Sequence, residues 1–173
     1  MTHRLILRAP VPRDSAAFES MYRDRSIWAY IPPAVWKPGG KAAIVRIRQS
    51  VGKQTACWYV IKDRQSGALV GEIAIFGIDW AERTAELGYH ITRTQWGKGY
   101  ASEAGDRVCR VAFRALRLRR LDAVVGEGND ASIRLLKKLG FRREGSARKA
   151  AWLRGRWRNQ FRFGLLAPEY RPG

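Results

Sequence analysis

The reading of this chain turns on Gln95–Ala104, QWGKGYASEA. Two glycines flank Lys98, and a helical pattern begins directly after them. Ala101, Ala104, Val108, Val111 and Ala115 recur at spacings of three and four, the apolar stripe of one helix face. Glu103 and Asp106 come early, and Arg110, Arg114 and Arg117 late, which suits the helix dipole; Glu103–Arg107 and Asp106–Arg110 are spaced to pair. The spacing therefore predicts a helix from Tyr100. A helix N-terminus carries unpaired N–H groups and about half a positive charge. A loop of small residues leading into it lets an anion reach those donors. With two side chains removed and Lys98 supplying a cation, the strand, loop and helix over 85–116 read as a diphosphate cradle.

Two other phosphate loops are excluded. A P-loop requires GxxxxGK followed by Ser or Thr, which the chain lacks. The dinucleotide fingerprint fails here at Ser102. Gly126–Ala131 (GEGNDA) does match it, after a buried strand. There Glu127 and Asp130 would crowd the phosphates, and too little chain remains for a doubly wound domain. That segment reads as an ordinary strand-to-helix turn.

Outward from the loop, the pattern is mixed. Residues 4–8 read as a strand, 15–25 as a helix, and 26–40, with three prolines and three large aromatics, as an ordered irregular loop. Helix is predicted over 41–53, with Ala43, Ile44, Ile47 and Val51 on one side. Strands at 58–63 and 69–78 form a hairpin about Gln65–Gly67, and 85–92 and 121–126 are further strands. Asn129 or Asp130 caps a helix over 131–139, whose Ile133, Leu136 and Leu139 face inward and which Gly140 ends. Residues 141–166 form two strands turning at Arg154–Gly155. The fold class is α+β, around one mixed sheet of six to seven strands with helices on both faces.

The 173 residues bound this to a single domain with a real core. No apolar run approaches ~18 residues, so neither a membrane span nor a membrane partner is expected. The first fifteen residues do not read as a signal peptide. Cys57 and Cys109 are far apart with no CxxC, so neither a metal site nor a disulfide framework is expected, and the location expected is cytoplasmic. The net charge is +18, from twenty-five arginines and eight lysines among the charged residues, densest over 142–162. Either this is a basic face for nucleic acid, the ribosome or an acidic substrate, or it is a solvated surface.

Trp96-Gly97-Lys98-Gly99-Tyr100-Ala101, followed by Glu103-Ala104, resembles the acetyl-CoA loop of the GNAT N-acetyltransferases. Trp96 stands where the broad pattern has Gln or Arg, as in the branch of the ribosomal-protein N-terminal acetyltransferases. AELGYHI (85–91) resembles that branch's central strand, Asn129–Phe141 its Asn-x-x-Ser…Leu-Gly-Phe helix, and Arg154–Leu166 its closing hairpin. The likeness spans 4–168, in order.

The resemblance implies acetyl transfer from acetyl-CoA, the co-substrate, to a primary amine by direct attack in a ternary complex. The acceptor implied is a protein or peptide N-terminal α-amine; a small-molecule amine, or a catalytically degenerate RNA- or ribosome-binding module of the same fold, is the alternative. It implies backbone donors at Tyr89, His90 and Ile91, where the strands splay and which Gly88 frees from regular pairing. Gly97, Lys98, Gly99, Tyr100, Ala101 and Ser102 hold the phosphates, and Asn129 and Ser132 the pantetheine and sulfur. Glu86, ahead of Glu72, is the expected proton acceptor; His90 is a further candidate base, expected first as an edge or groove residue with a satisfied ring. The Tyr that many members carry seven residues after the Asn is Leu136 here. Trp28, Tyr30 and Trp36 are expected to line the acceptor groove. The assembly expected is a monomer or homodimer.

Overall fold

The computed structural model describes residues 3–26, 28–31 and 40–173. Among these residues seven strands form one sheet: β1 (Leu5–Arg8), β2 (Ala56–Asp63), β3 (Leu69–Asp79), β4 (Thr84–Ile91), β5 (Arg120–Gly126), β6 (Arg142–Leu153) and β7 (Arg156–Leu166), in the order β1-β2-β3-β4-β5-β7-β6. The β4–β5 pair is parallel and the other pairs are antiparallel. The α-helices among them flank it: α1 (Ser15–Arg23), α2 (Gly40–Gly52), α3 (Tyr100–Arg110) and α4 (Asp130–Lys138). The mixed sheet, with helices on both faces, is the α+β class read from the sequence.

Strand alternation divides the core. On β4, Ala85, Leu87 and Ile91 point into the larger cluster, with Ala104, Val108 and Leu136 of α3 and α4. Glu86, Gly88 and His90 therefore face the other side. There Phe18, Met21 and Tyr22 of α1, at helical spacing, pack with Ala43 and Ile44 of α2 on Val60. Val51, expected on the same side of α2, is exposed in its last turn.

The stripe predicted for α3 holds through Val108 and then shifts. Val111–Ala115 is a π turn, with Leu116 N–H donating to Val111 O at 3.0 Å. Its wider turn rotates the register, so Ala112 and Phe113 are buried where Ala115 was expected, and Ala115 is exposed. Asp106 pairs with Arg110 at 3.0 Å as predicted. Glu103 instead takes Arg4, which donates from its backbone N at 2.8 Å and from Nε at 2.9 Å. This ties β1 to the start of α3.

The decisive feature lies at mid-sheet. β4 and β5 pair from Thr84↔Arg120 only as far as Glu86↔Asp122. Beyond that register Leu87–Ile91 and Ala123–Gly126 are not paired to each other. On its other edge β4 stays in register with β3 from Glu86 to Ile91, including Ala74↔Gly88, and shifts only between Phe76 and Asp79. Gly88 therefore does not loosen the ladder on that side. A Cβ there would stand 2.8 Å from Phe76 Cε1, so the glycine makes room for that ring.

Candidate active site

Two cavities of about 600 Å³ and about 610 Å³ meet where β4 and β5 part. Both are lined by Tyr30, Ile31, Tyr89, His90, Asn129 and Ser132. One lies against the glycine loop, the other beneath α1 and α2.

The glycine-loop cavity adds Ile91, Gly97, Gly99, Tyr100, Ala101 and Ser102. Gly97 and Gly99 have φ of 75° and 78°, the left-handed region that favours glycine. Gly99 is the N-cap of α3, whose first N–H groups have no intrahelical acceptor. A Cβ on Gly97 would meet nothing within 4 Å, and one on Gly99 only Arg4 at 3.5 Å. Backbone conformation, not crowding by the protein, thus requires both glycines. Trp96 donates its Nε1 to Ile91 O at 2.7 Å, pinning the loop to the end of β4. Tyr100 donates to Asp63 at 2.9 Å, and Arg4 donates to Lys98 O at 2.9 Å and lies over the Tyr100 ring.

Lys98 departs from its expected place. Its ammonium donates to Gln95 Oε1 at 2.9 Å, and the residue does not line the cavity. The cations that do are Arg134 and Lys138, one turn apart on α4. The sequence reading missed them; their i,i+4 spacing two and six residues after Ser132 was the available signal. Asn129 caps α4 as expected, accepting from Ser132 N at 3.2 Å. The rival fingerprint is this β5–α4 turn. Gly126 lies so close to Tyr30 that a Cβ would stand 2.7 Å from its carbonyl oxygen.

The second cavity is aromatic and carries both carboxylates. Glu72, Glu86, Trp28, Tyr30, Tyr22, Trp58 and Phe76 line it, with Arg46 at its α2 wall. Trp36 lies outside the described residues. Glu72 is 2% exposed and fully engaged. It accepts from Tyr22 Oη at 2.9 and 3.0 Å and from Trp58 Nε1 at 2.8 Å, and its Oε1 stands 2.7 Å from His90 Nδ1. Trp28 packs on both Tyr22 and His90, with ring centres 5.4 and 5.2 Å apart. Among the described residues Glu86 has no such partners, and burial first, then Asp122, push its pKa up against the opposing pull of Arg162. Tyr89, on the opposite face of β4, is raised to about 12 by burial, while a hydrogen bond from Ser132 lowers it. Leu136 is buried beside Ser132 and offers no hydroxyl.

A sheet parted at its middle, with a glycine loop at a helix start on one side and an aromatic cavity carrying two carboxylates on the other, is the architecture of an acyl-transferring enzyme. The chain belongs to the GNAT acetyltransferases and is an N-acetyltransferase: residues 4–142 match the family model described as acetyltransferase (GNAT) domain. It is 31% identical to the uncharacterized N-acetyltransferase p20 of Bacillus licheniformis, over 98% of this chain and 96% of that one. It is 26% identical to the [ribosomal protein uS5]-alanine N-acetyltransferase of Escherichia coli (strain K12), over 99% and 92%. The crystal structure of spermidine N-acetyltransferase from Vibrio cholerae in complex with CoA and spermine superposes with a TM-score of 0.86 at 23% identity, covering 96% of this chain and 98% of that one. At that identity the likeness is one of fold. Among the described residues, no helix is long and apolar enough to cross a membrane.

Proposed function

We propose that the chain transfers the acetyl group of acetyl-CoA to the N-terminal α-amine of a protein or peptide. The observation that carries this reading is the meeting of the two cavities at Tyr89, His90, Asn129 and Ser132, where β4 and β5 separate. Acetyl-CoA enters from the glycine-loop side. Its phosphates take the N–H groups of Gly97–Ser102, with Arg134 and Lys138 as counter-charges in place of Lys98. Its pantetheine runs along the unpaired edge of β4, whose N–H groups at Tyr89 and Ile91 polarise the thioester, that of His90 being turned to β3. Ser132 holds the sulfur by hydrogen bonding. The amine enters between α1, α2 and the sheet, where Glu86 draws in its ammonium form and Trp28 and Tyr30 shape the wall.

The acceptor's remainder is set by β7. By register, Arg162 lies opposite Val124, on the face of the sheet that carries Glu86, and it acts on the Glu86 carboxylate. Between Gly145 and Gly164 there is no acidic residue and there are six basic ones. An acidic peptide beyond its amine suits that wall; a polyamine sets further ammonium groups against arginine. An α-amine also has an ordinary pKa of ~8 against ~10.4 for lysine, so it is more readily deprotonated. Thiol release from acetyl-CoA, measured with acidic peptides, basic peptides and spermidine, tests this. Acidic peptides are expected to give the highest kcat/KM; a preference for spermidine rejects the protein-acceptor reading.

A further inference from the structure

The carboxylate expected to take the amine's proton is Glu86, yet four residues along the same face of β4 stands a histidine held by a buried carboxylate. We infer that His90 Nε2 is the proton acceptor and that Glu72 positions it; the inference rests on the acetyl-transfer reading above. Trp58 Nε1 can only donate. Tyr22, whose pKa is driven far up by burial first and then by Glu72, keeps its proton and donates too. Glu72 is thus held as an acceptor on both oxygens, and the remaining 2.7 Å contact requires His90 Nδ1 to carry its hydrogen. Nε2 is left with a lone pair. Among the described residues it has no hydrogen-bond partner, and the imidazole lines both cavities at their junction.

This is the arrangement of a buried carboxylate fixing the tautomer of a histidine and stabilising the imidazolium that forms. Trp28, packed on the ring, and the direct Glu72↔His90 pairing of β3 and β4 leave little freedom to rotate. Among the described residues, the charged and titratable groups that line this cavity with the imidazole are Glu72 on β3, Tyr22 on α1, Tyr30 after it, Arg46 on α2, and Glu86 and Tyr89 on β4 itself. In the reaction, Nε2 takes a proton from the entering ammonium, freeing the electron pair that forms the N–C bond. The C–S bond breaks and sulfur leaves with its pair as a thiolate. The second proton lost by nitrogen neutralises that thiolate, so one proton per turnover leaves through His90 to solvent.

The test is the pH profile of kcat/KM for the intact protein and for His90→Gln, His90→Ala, Glu72→Gln and Glu86→Gln, with CoA affinity measured by calorimetry on each. His90→Gln should lower kcat by about 10²–10⁴-fold, the usual range for a positioned acid–base group, and abolish the acid limb. Its CoA Kd should change far less than kcat, since the phosphates are held at the glycine loop and by Arg134 and Lys138. Added imidazole should restore part of the activity of His90→Ala, which a purely structural role does not allow. Glu72→Gln should lower kcat more than it raises KM and should move the acid limb. Glu86→Gln should raise KM but retain the limb. If the limb survives in His90→Gln, or disappears in Glu86→Gln, the assignment is overturned. If the unaltered protein does not bind CoA at all, the acetyl-transfer reading falls first, and this assignment with it.

Discussion

Replacing Gly97 with alanine separates what the loop does for the fold from what it does for a ligand. At φ 75° an L-residue is strained by about 1–2 kcal/mol. The new Cβ meets no protein atom within 4 Å, so no steric cost inside the protein adds to it. For a chain of this length, 1 kcal/mol corresponds to a fall in Tm of about 2–4 °C. Gly99→Ala carries the same backbone strain, and its Cβ makes only an ordinary contact with Arg4 at 3.5 Å. Stability losses for the two should therefore be similar and modest. If the phosphates of CoA lie against this backbone, each methyl also obstructs them, and CoA affinity should fall about tenfold or more, about 1.4 kcal/mol. Calorimetric titration with CoA and thermal melts on the same samples check both numbers. A Tm shift of the expected size with unchanged CoA affinity would refute the placement of the phosphates, while leaving the conformational argument intact.

Four further outcomes are expected. Gly88→Ala should cost about 1–3 kcal/mol from the clash with Phe76, and Phe76→Leu in the same chain should recover much of it, as a double-mutant cycle by urea unfolding will read. Glu86→Gln should raise Tm at neutral pH while raising KM for the amine. A carboxyl whose folded pKa is raised stabilises the fold fully below its ordinary value and loses that contribution as pH rises through the folded one, so at pH 7 the charge opposes folding. Asp14→Asn should cost about 2–3 kcal/mol, because Arg8 donates to Asp14 at 2.6 and 2.7 Å and Val11 N–H at 2.8 Å; the Asp14 pKa is held down chiefly by Arg8, so its contribution is present above pH 3.8 and is lost as pH falls through the lower folded value, visible in acid unfolding curves. Arg162→Glu should raise KM for an acidic peptide about tenfold and lower it for spermidine, and the peptide effect should shrink with salt.

The parts of this fold legible in the sequence were those set by local chemistry. The start of α3 at Tyr100, the Asn129 cap, the left-handed Gly140 and the β6–β7 turn at Arg154–Gly155 all follow from periodicity, caps and turn residues. What could not be read depends on where a neighbouring element falls. The π turn after Arg110 changes hydrogen bonding without changing composition. Glu103 has two arginines within reach, and only the fold brings Arg4, 99 positions away, closer than Arg107. Lys98 sits in the loop beside the expected anion, but its four-carbon stem also reaches Gln95. Glu72 and Glu86 look alike along their strands. Tertiary packing alone decides that one is enclosed by three donors and the other is nearly without partners.

The most direct test is a crystal structure of the protein with CoA. The phosphates should lie against the N–H groups of Gly97–Ser102, the pantetheine beside Tyr89–Ile91, and the sulfur within hydrogen-bonding reach of Ser132, at the junction with the carboxylate cavity. CoA lying outside the gap between β4 and β5, or with its sulfur turned away from His90 and Ser132, would contradict this placement.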